Sequence, residues 1–217
     1  KSGPMSPLLL IVFVSKGSFI GTIMPDYLSS WNGHVFSFNC HDRETLNLAH
    51  FLFQDFHRAE QGESVHHFSL RYDARNDLWS ATGAEGGLYH GPSRYLLAYN
   101  LMNEVLFHCI NREDGMHALH AGAVSRHNQC LLIPGVSGCG KSTLVTWLVS
   151  RGWNYISDEL IFCSDSGEVT GIPRPISLKA GPGDPGWPGK TDETHCLVDA
   201  NGAMIPHRLL NTNCHEQ

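Results

Sequence analysis

The residues with the clearest chemistry run from Leu131 through Pro134 into Gly135-Val-Ser-Gly-Cys-Gly-Lys-Ser-Thr143. From Gly135 to Ser142 they match G-x-x-x-x-G-K-[ST], a pattern that binds polyphosphate. The physical basis is specific. Gly135, Gly138 and Gly140 admit positive φ, so successive N–H groups can turn toward one anion. A helix starting near Lys141 adds the positive end of its dipole. Lys141 can reach β and γ phosphates, and the Ser142 hydroxyl suits Mg²⁺. The candidate nucleotide-binding set is therefore Gly135, Val136, Ser137, Gly138, Cys139, Gly140, Lys141, Ser142 and Thr143.

Phosphate chemistry also needs a metal ligand and a proton acceptor. Asp158 and Glu159 follow an apolar run shortly after this motif. Beside a Mg²⁺–phosphate site, one carboxylate can hold the metal while the other accepts a proton. Away from such a site they are an exposed acidic pair at a strand end. His120 precedes the motif by one strand and can contact phosphate, or can serve as a structural histidine in a sheet.

These residues need a strand, a turn and a helix to hold them. Gln129 to Ile133 is a short apolar run of strand type. Leu144, Val145, Leu148 and Val149 recur at helical spacing, and Gly152 is the stop. Ala118 to Val124 reads as a strand joined to 129–133 by a turn at Arg126 to Asn128. Beyond the helix, Trp153 to Ser157 reads as a short strand ending in Asp158-Glu159, Leu160 to Cys163 continues extended, and Ser164 to Gly167 is a turn, after which Glu168 to Gly171 leads to Pro173-Arg-Pro175 and Ile176 to Lys179. Upstream, Leu8 to Val14, Phe19 to Ile23 and Val35 to Phe38 read as strands, the last after an Asn32-Gly33 turn. Asp42 opens an amphipathic helix through Leu46, Ala49, Phe53 and Phe56, with Gly62 as its end. Phe68 to Tyr72 and Leu78 to Ala81 pair as strands around Asn76-Asp77. Gly83 to Gly91 reads as a loop. A second helix runs from Pro92 or Ser93 to about Asn111. After Lys179 periodicity is lost, and Ala180 to Gly189 is dominated by glycine and proline. The tail reads as weakly ordered or as a piece of a longer fold. The division is 5–115, an N-terminal α/β region of unknown role, and 116–217, a P-loop core with an irregular tail.

Composition narrows the classes. Net charge is −6 and no basic cluster occurs, which argues against nucleic acid and an anionic membrane as partners. Leu8 to Val14 is too short to span a bilayer and lacks a signal-peptide cleavage site. Met5 reads as the natural start. Seven cysteines without a C-x-x-C pair fit free thiols and a cytoplasmic setting. Fourteen histidines admit a zinc site, but no H-E-x-x-H or Cys/His ligand block appears.

Leu119-His-Ala-Gly-Ala123, the hairpin, Gly135 to Ser142, Arg151-Gly152 and Ser157-Asp-Glu159 occur in an order that resembles the HPr kinase/phosphorylase family. The resemblance covers roughly residues 117 to 180. It is closest to the divergent HPr-kinase-related branch, some members of which act on peptides in natural-product clusters. It implies a P-loop serine kinase using ATP and Mg²⁺, in the fold shared with phosphoenolpyruvate carboxykinase. By that resemblance Asp158 is the proton acceptor, Glu159 and Ser142 are metal ligands, and His120 is the histidine before the loop. Glu159 stands where the classical enzymes have Asp, and Lys-Ser-Thr where they have Lys-Ser-Glu. Phosphorylase activity, the HPr substrate and hexamer formation are not carried over. The expected function is transfer of the γ-phosphoryl group to a hydroxyl, foremost a Ser of a protein or peptide. The alternatives are a small-molecule kinase and a nucleotide-binding module without transfer. A homo-oligomer is compatible with each.

Overall fold

The computed structural model describes residues 26–59, 65–110, 115–179, 181, 183, 187–188 and 193–210. Within them the chain is a mixed α/β structure of three sheets and three α-helices. The segments 8–14 and 19–23, expected as strands, lie outside the described residues.

The first sheet begins with β1 (Tyr27–Trp31) and β2 (His34–Cys40), an antiparallel pair. Its turn, Asn32-Gly33, has positive φ at both residues, the mirror-image geometry that matches strand twist. α1 (Arg43–Phe53) then crosses over to β3 (Val65–Asp73), which runs parallel to β2. Asp42 starts α1: its Oδ1 accepts from Thr45 N at 2.8 Å, while its Oδ2 accepts from Tyr72 N at 2.8 Å. One carboxylate thus caps the helix and ties it to β3. β4 (Leu78–Gly83) and β5 (Gly86–Gly91) complete the order β1-β2-β3-β4-β5. α2 (Arg94–Ile110) buries Leu97, Leu101, Met102 and Val105 against this layer.

The second sheet is built on β6 (His117–Arg126). One side of β6 pairs with β7 (Gln129–Pro134); the other pairs with β8 (Asn154–Ser157) and β9 (Leu160–Cys163), all antiparallel. β10 (Val169–Gly171) lies outside β9. α3 (Lys141–Val149) packs on this sheet through Val145, Leu148 and Val149. Gly122 permits the approach, because a Cβ there would lie 2.7 Å from Val145 Cγ2. β11 (Ile176–Leu178), β12 (Leu197–Asp199) and β13 (Gly202–Ile205) form the third sheet, in the order β11-β13-β12.

Three expectations are corrected, and one strand was not foreseen. The Gly83–Gly91 region is no loop: β4 runs to Gly83 and β5 occupies Gly86–Gly91, where half-buried Leu88 and Tyr89 pack on the core. An edge strand tolerates the glycines that hid it. β1 was unforeseen, since its alternation of Tyr27, Ser29 and Trp31 is broken by a serine that is itself buried. α1 stops at Phe53, so Phe56 is buried beyond the helix rather than on it. Residues 197–205 are packed strands, with Leu197, Ala203, Met204 and Ile205 buried. Their pairing with β11 is long-range and leaves no local period.

The largest buried cluster also crosses residue 115. It joins Phe36 and Leu101 to Phe162, Ile172, Leu197 and Met204, and the Trp31 and Phe162 rings lie 5.3 Å apart. No helix among the described residues is long and apolar enough to cross a membrane.

Candidate functional site

β7 feeds the glycine-rich turn, and the turn feeds α3. Gly138 and Gly140 have φ of +83° and +93°, conformations costly for any residue with a Cβ. Gly140 occupies the N-cap position of α3 and supplies no side-chain acceptor. The first-turn amides, with the dipole behind them, are thus available to an anion. Lys141 is 7% exposed, and its Nζ donates to Gly135 O at 2.8 Å and Val136 O at 3.2 Å. The ammonium is held by the turn's carbonyls, and Lys141 also helps line the cavity.

That cavity has a volume of about 170 Å³. One side is the turn and helix start, from Ser137 and Gly138 to Thr143. The second is His120 with Glu159. The third is Tyr95 and Tyr99 of α2 with Ser177 and Lys179 of the β11 segment. Gly135, Val136 and Cys139 belong to the turn but do not line the cavity. Val136 is 78% exposed, and Cys139 Sγ fills the space beside Gly135, 2.6 Å from where a Cβ would sit.

Strand register brings His120 and Glu159 together. His120 pairs with Leu160 across β6 and β9, so the residue before Leu160 arrives beside the imidazole. His120 Nε2 and Glu159 Oε1 are 3.1 Å apart, with both side chains partly exposed to the cavity. A carboxylate at that distance orients an imidazole.

Asp158, expected from the sequence to face the site as proton acceptor, is placed differently. It is fully buried and does not line the cavity. Its Oδ1 accepts from Tyr155 Oη and Arg174 Nε, each at 3.1 Å, and its Oδ2 accepts from Ser177 N at 3.1 Å. Arg174 is 1% exposed. Burial alone would lower its pKa, but the Asp158 carboxylate, with Tyr155 and Glu159, raises it, so the guanidinium stays charged. Burial and the same carboxylate push the Tyr155 phenol well above its usual range, so it stays a neutral donor. The Arg174 guanidinium also stands 3.8 Å from Glu159 Oε2. Asp158 thus anchors the wall on which Glu159 is mounted. Both its oxygens accept hydrogen bonds from the protein, and the carboxylate is closed off from the cavity in which a metal beside phosphate would sit.

Ser142 and Glu159 remain as candidate Mg²⁺ ligands. A hydroxyl and a carboxylate on one cavity are hard oxygen donors of the few-per-site kind that Mg²⁺ takes beside phosphates and water. Among the described residues no group of three or more His, Cys, Asp or Glu is placed to hold a metal, so the zinc option from the histidine count finds no support there. Cys40, Cys130, Cys139 and Cys163 are free thiols.

Sequence reasoning missed Arg174, Tyr155, Ser177, Lys179, Tyr95 and Tyr99. For Arg174 a signal was present: a charged residue between Pro173 and Pro175, in an otherwise apolar segment, has to be paired if it is buried. For Tyr95 and Tyr99, i,i+4 helical spacing marks a shared face but not what the face meets.

No family model matches the chain, and neither a curated protein nor a solved structure does.

Proposed function

We propose that the chain is an ATP- and Mg²⁺-dependent kinase of the P-loop type, similar to HPr kinases, that phosphorylates a hydroxyl of a protein or peptide. One observation carries this reading: a single cavity holds both the glycine-rich turn at a helix N-terminus and a carboxylate–imidazole pair. The first suits a polyphosphate and the second suits proton transfer.

In this reading the amides from Gly138 to Ser142 and the Lys141 ammonium bind the β and γ phosphates. Ser142 and Glu159 would hold Mg²⁺, which neutralises developing charge on the phosphates. The acceptor hydroxyl attacks the γ-phosphorus. The bond from that phosphorus to the β,γ-bridging oxygen breaks, ADP leaves, and the hydroxyl proton passes to His120. Glu159 orients the imidazole that receives it. The role given to Asp158 on sequence grounds moves to the His120–Glu159 pair, and Asp158 becomes the anchor behind it.

A second reading, a nucleotide-binding module without transfer, is favoured by the sealing of Asp158. Calorimetry with ATP and Mg²⁺, run beside γ-phosphoryl transfer to a Ser-peptide pool, separates the two. Lys141→Met should weaken ATP binding clearly while circular dichroism stays native. Unchanged affinity would sink both readings. Tight binding with no transfer by the parent protein would leave only the module.

A further inference from the structure

We infer that α2 supplies the acceptor wall of this cavity, and that Tyr95 and Tyr99 select a peptide whose acceptor hydroxyl is flanked by an aromatic or apolar side chain. The inference rests on the kinase reading and gives the N-terminal region a part in it.

The two tyrosines are built into place. Tyr95 is 4% exposed, and its hydroxyl meets Ser177 Oγ at 2.9 Å. Asp199, on β12, accepts from Tyr95 N at 3.0 Å and from Ser93 Oγ at 2.6 Å, which pins the first turn of α2. Gly202, on β13, leaves room for the ring: a Cβ there would lie 2.7 Å from Tyr95 Cζ. Tyr99 lies one turn on, with its ring stacked toward Tyr95 at 6.1 Å and 19°. Two separate stretches of chain, β11 and the β12–β13 hairpin, therefore fix one aromatic wall.

Its position says which end of the substrate it meets. Ser177 joins the wall to the acid side, because its N–H donates to Asp158 while its hydroxyl meets Tyr95. Glu159 and His120 mark the end where the phosphoryl group is transferred. On the strength of that link we set the tyrosines beside the incoming hydroxyl; nucleotide affinity distinguishes this position from one beside the phosphate turn, since both groups line the same cavity. The cavity, at about 170 Å³, is smaller than the roughly 300–1,000 Å³ that encloses a whole small ligand. With a polyphosphate tail inside, it admits the tip of a side chain. The rest of the acceptor must lie outside it, as a peptide does, and the exposed part of Tyr99 then meets a neighbouring residue. Tyrosine faces favour aromatic and apolar partners.

The test is a peptide array with a central Ser and varied neighbours, phosphorylated with labelled ATP and Mg²⁺. Variants are Tyr99→Ala, Tyr99→Leu to keep volume if the first folds poorly, and Phe107→Ala as an exposed control ring on the same helix. The parent should prefer an aromatic or apolar neighbour. Tyr99→Ala should raise KM for such peptides about 2- to 12-fold, the size of one aromatic contact. It should leave the affinity for a fluorescent ATP analogue within about twofold, since that contact lies at the acceptor end. Phe107→Ala should behave as the parent. An unchanged neighbour preference in Tyr99→Ala overturns the inference. So does a matching loss of ATP-analogue affinity, which would move the tyrosines to the nucleotide end. Failure of the parent to bind the analogue at all sinks the kinase reading instead.

Discussion

Asp158 and Glu159 are adjacent in sequence yet occupy opposite sides of one wall, and their substitutions should fail for different reasons. Glu159 is partly exposed to the cavity, with His120 beside it. Glu159→Gln and His120→Gln should therefore fold normally and lose about 10²–10⁴-fold in phosphoryl transfer, the usual size of a lost acid–base contribution. Asp158 balances Arg174 in the interior. Removing one member of a buried ion pair leaves the other uncompensated, at a cost of about 3–5 kcal/mol. Asp158→Asn should thus lower the unfolding midpoint in urea sharply, and Glu159→Gln should hardly move it. Urea melts read beside transfer rates check this. If Asp158→Asn melts like the parent but transfers no phosphate, the proton acceptor is Asp158 after all and the pair needs reassignment.

At the scale of elements, the turn depends on how closely α3 approaches β6, and Gly122 sets that distance. Gly122→Ala would force its methyl against Val145 Cγ2. Overpacking of this kind costs about 1–3 kcal/mol. It should also weaken ATP binding, because α3 carries Lys141 and Ser142 at its start. The double variant Gly122→Ala with Val145→Ala should be less destabilised than the sum of the singles, since the clash is then gone. Strict additivity in urea melts would place the effect elsewhere. The hairpin, turn and helix around this contact were legible in the sequence, because each is specified locally: by apolar period, by Arg126-His-Asn128 and by the glycines. The histidine–glutamate pair was half legible. Both residues were candidates, but only the β6–β9 register, a contact between strands 40 residues apart in numbering (His120 with Leu160), says that they touch. The burial of Asp158 was not legible, because order in a motif does not report which way a side chain points at a strand end. β12 and β13 were illegible for the same reason as the tyrosine wall: their partners are remote, and glycine and proline ahead of them mask the period.

Among the described residues the N-terminal layer shares one buried cluster with the strands beyond residue 115, and it supports the cavity through side-chain contacts. Asp55, just beyond α1, pairs with Arg208 and lies 3.7 Å from His207, whose ring stacks on Tyr155 at 4.7 Å. Tyr155 in turn donates to Asp158. Stability of the first sheet should therefore be felt at the site, and acid offers a way to perturb that sheet. His66, on β3, stacks on His108 with ring centroids 4.0 Å apart and faces His34 at 3.3 Å, with Glu104 near His108. Burial, then the neighbouring His108, His34 and His67, lowers its pKa from 6.5 to about 4. The unfolded chain thus takes up this proton before the folded one does. Between pH 6.5 and about 4 the group makes folding progressively less favourable as pH falls, and below about 4, where both states are protonated, it adds nothing further. His66→Phe keeps a ring in the stack and removes the titration. Thermal melts across that pH range should show a shallower fall in Tm for His66→Phe than for the parent, with the two curves running parallel below it. ATP binding by the parent, followed over the same range, should decline along with its Tm as the first sheet weakens. Identical slopes for parent and variant would mean that the histidine stack is not where acid acts on the fold.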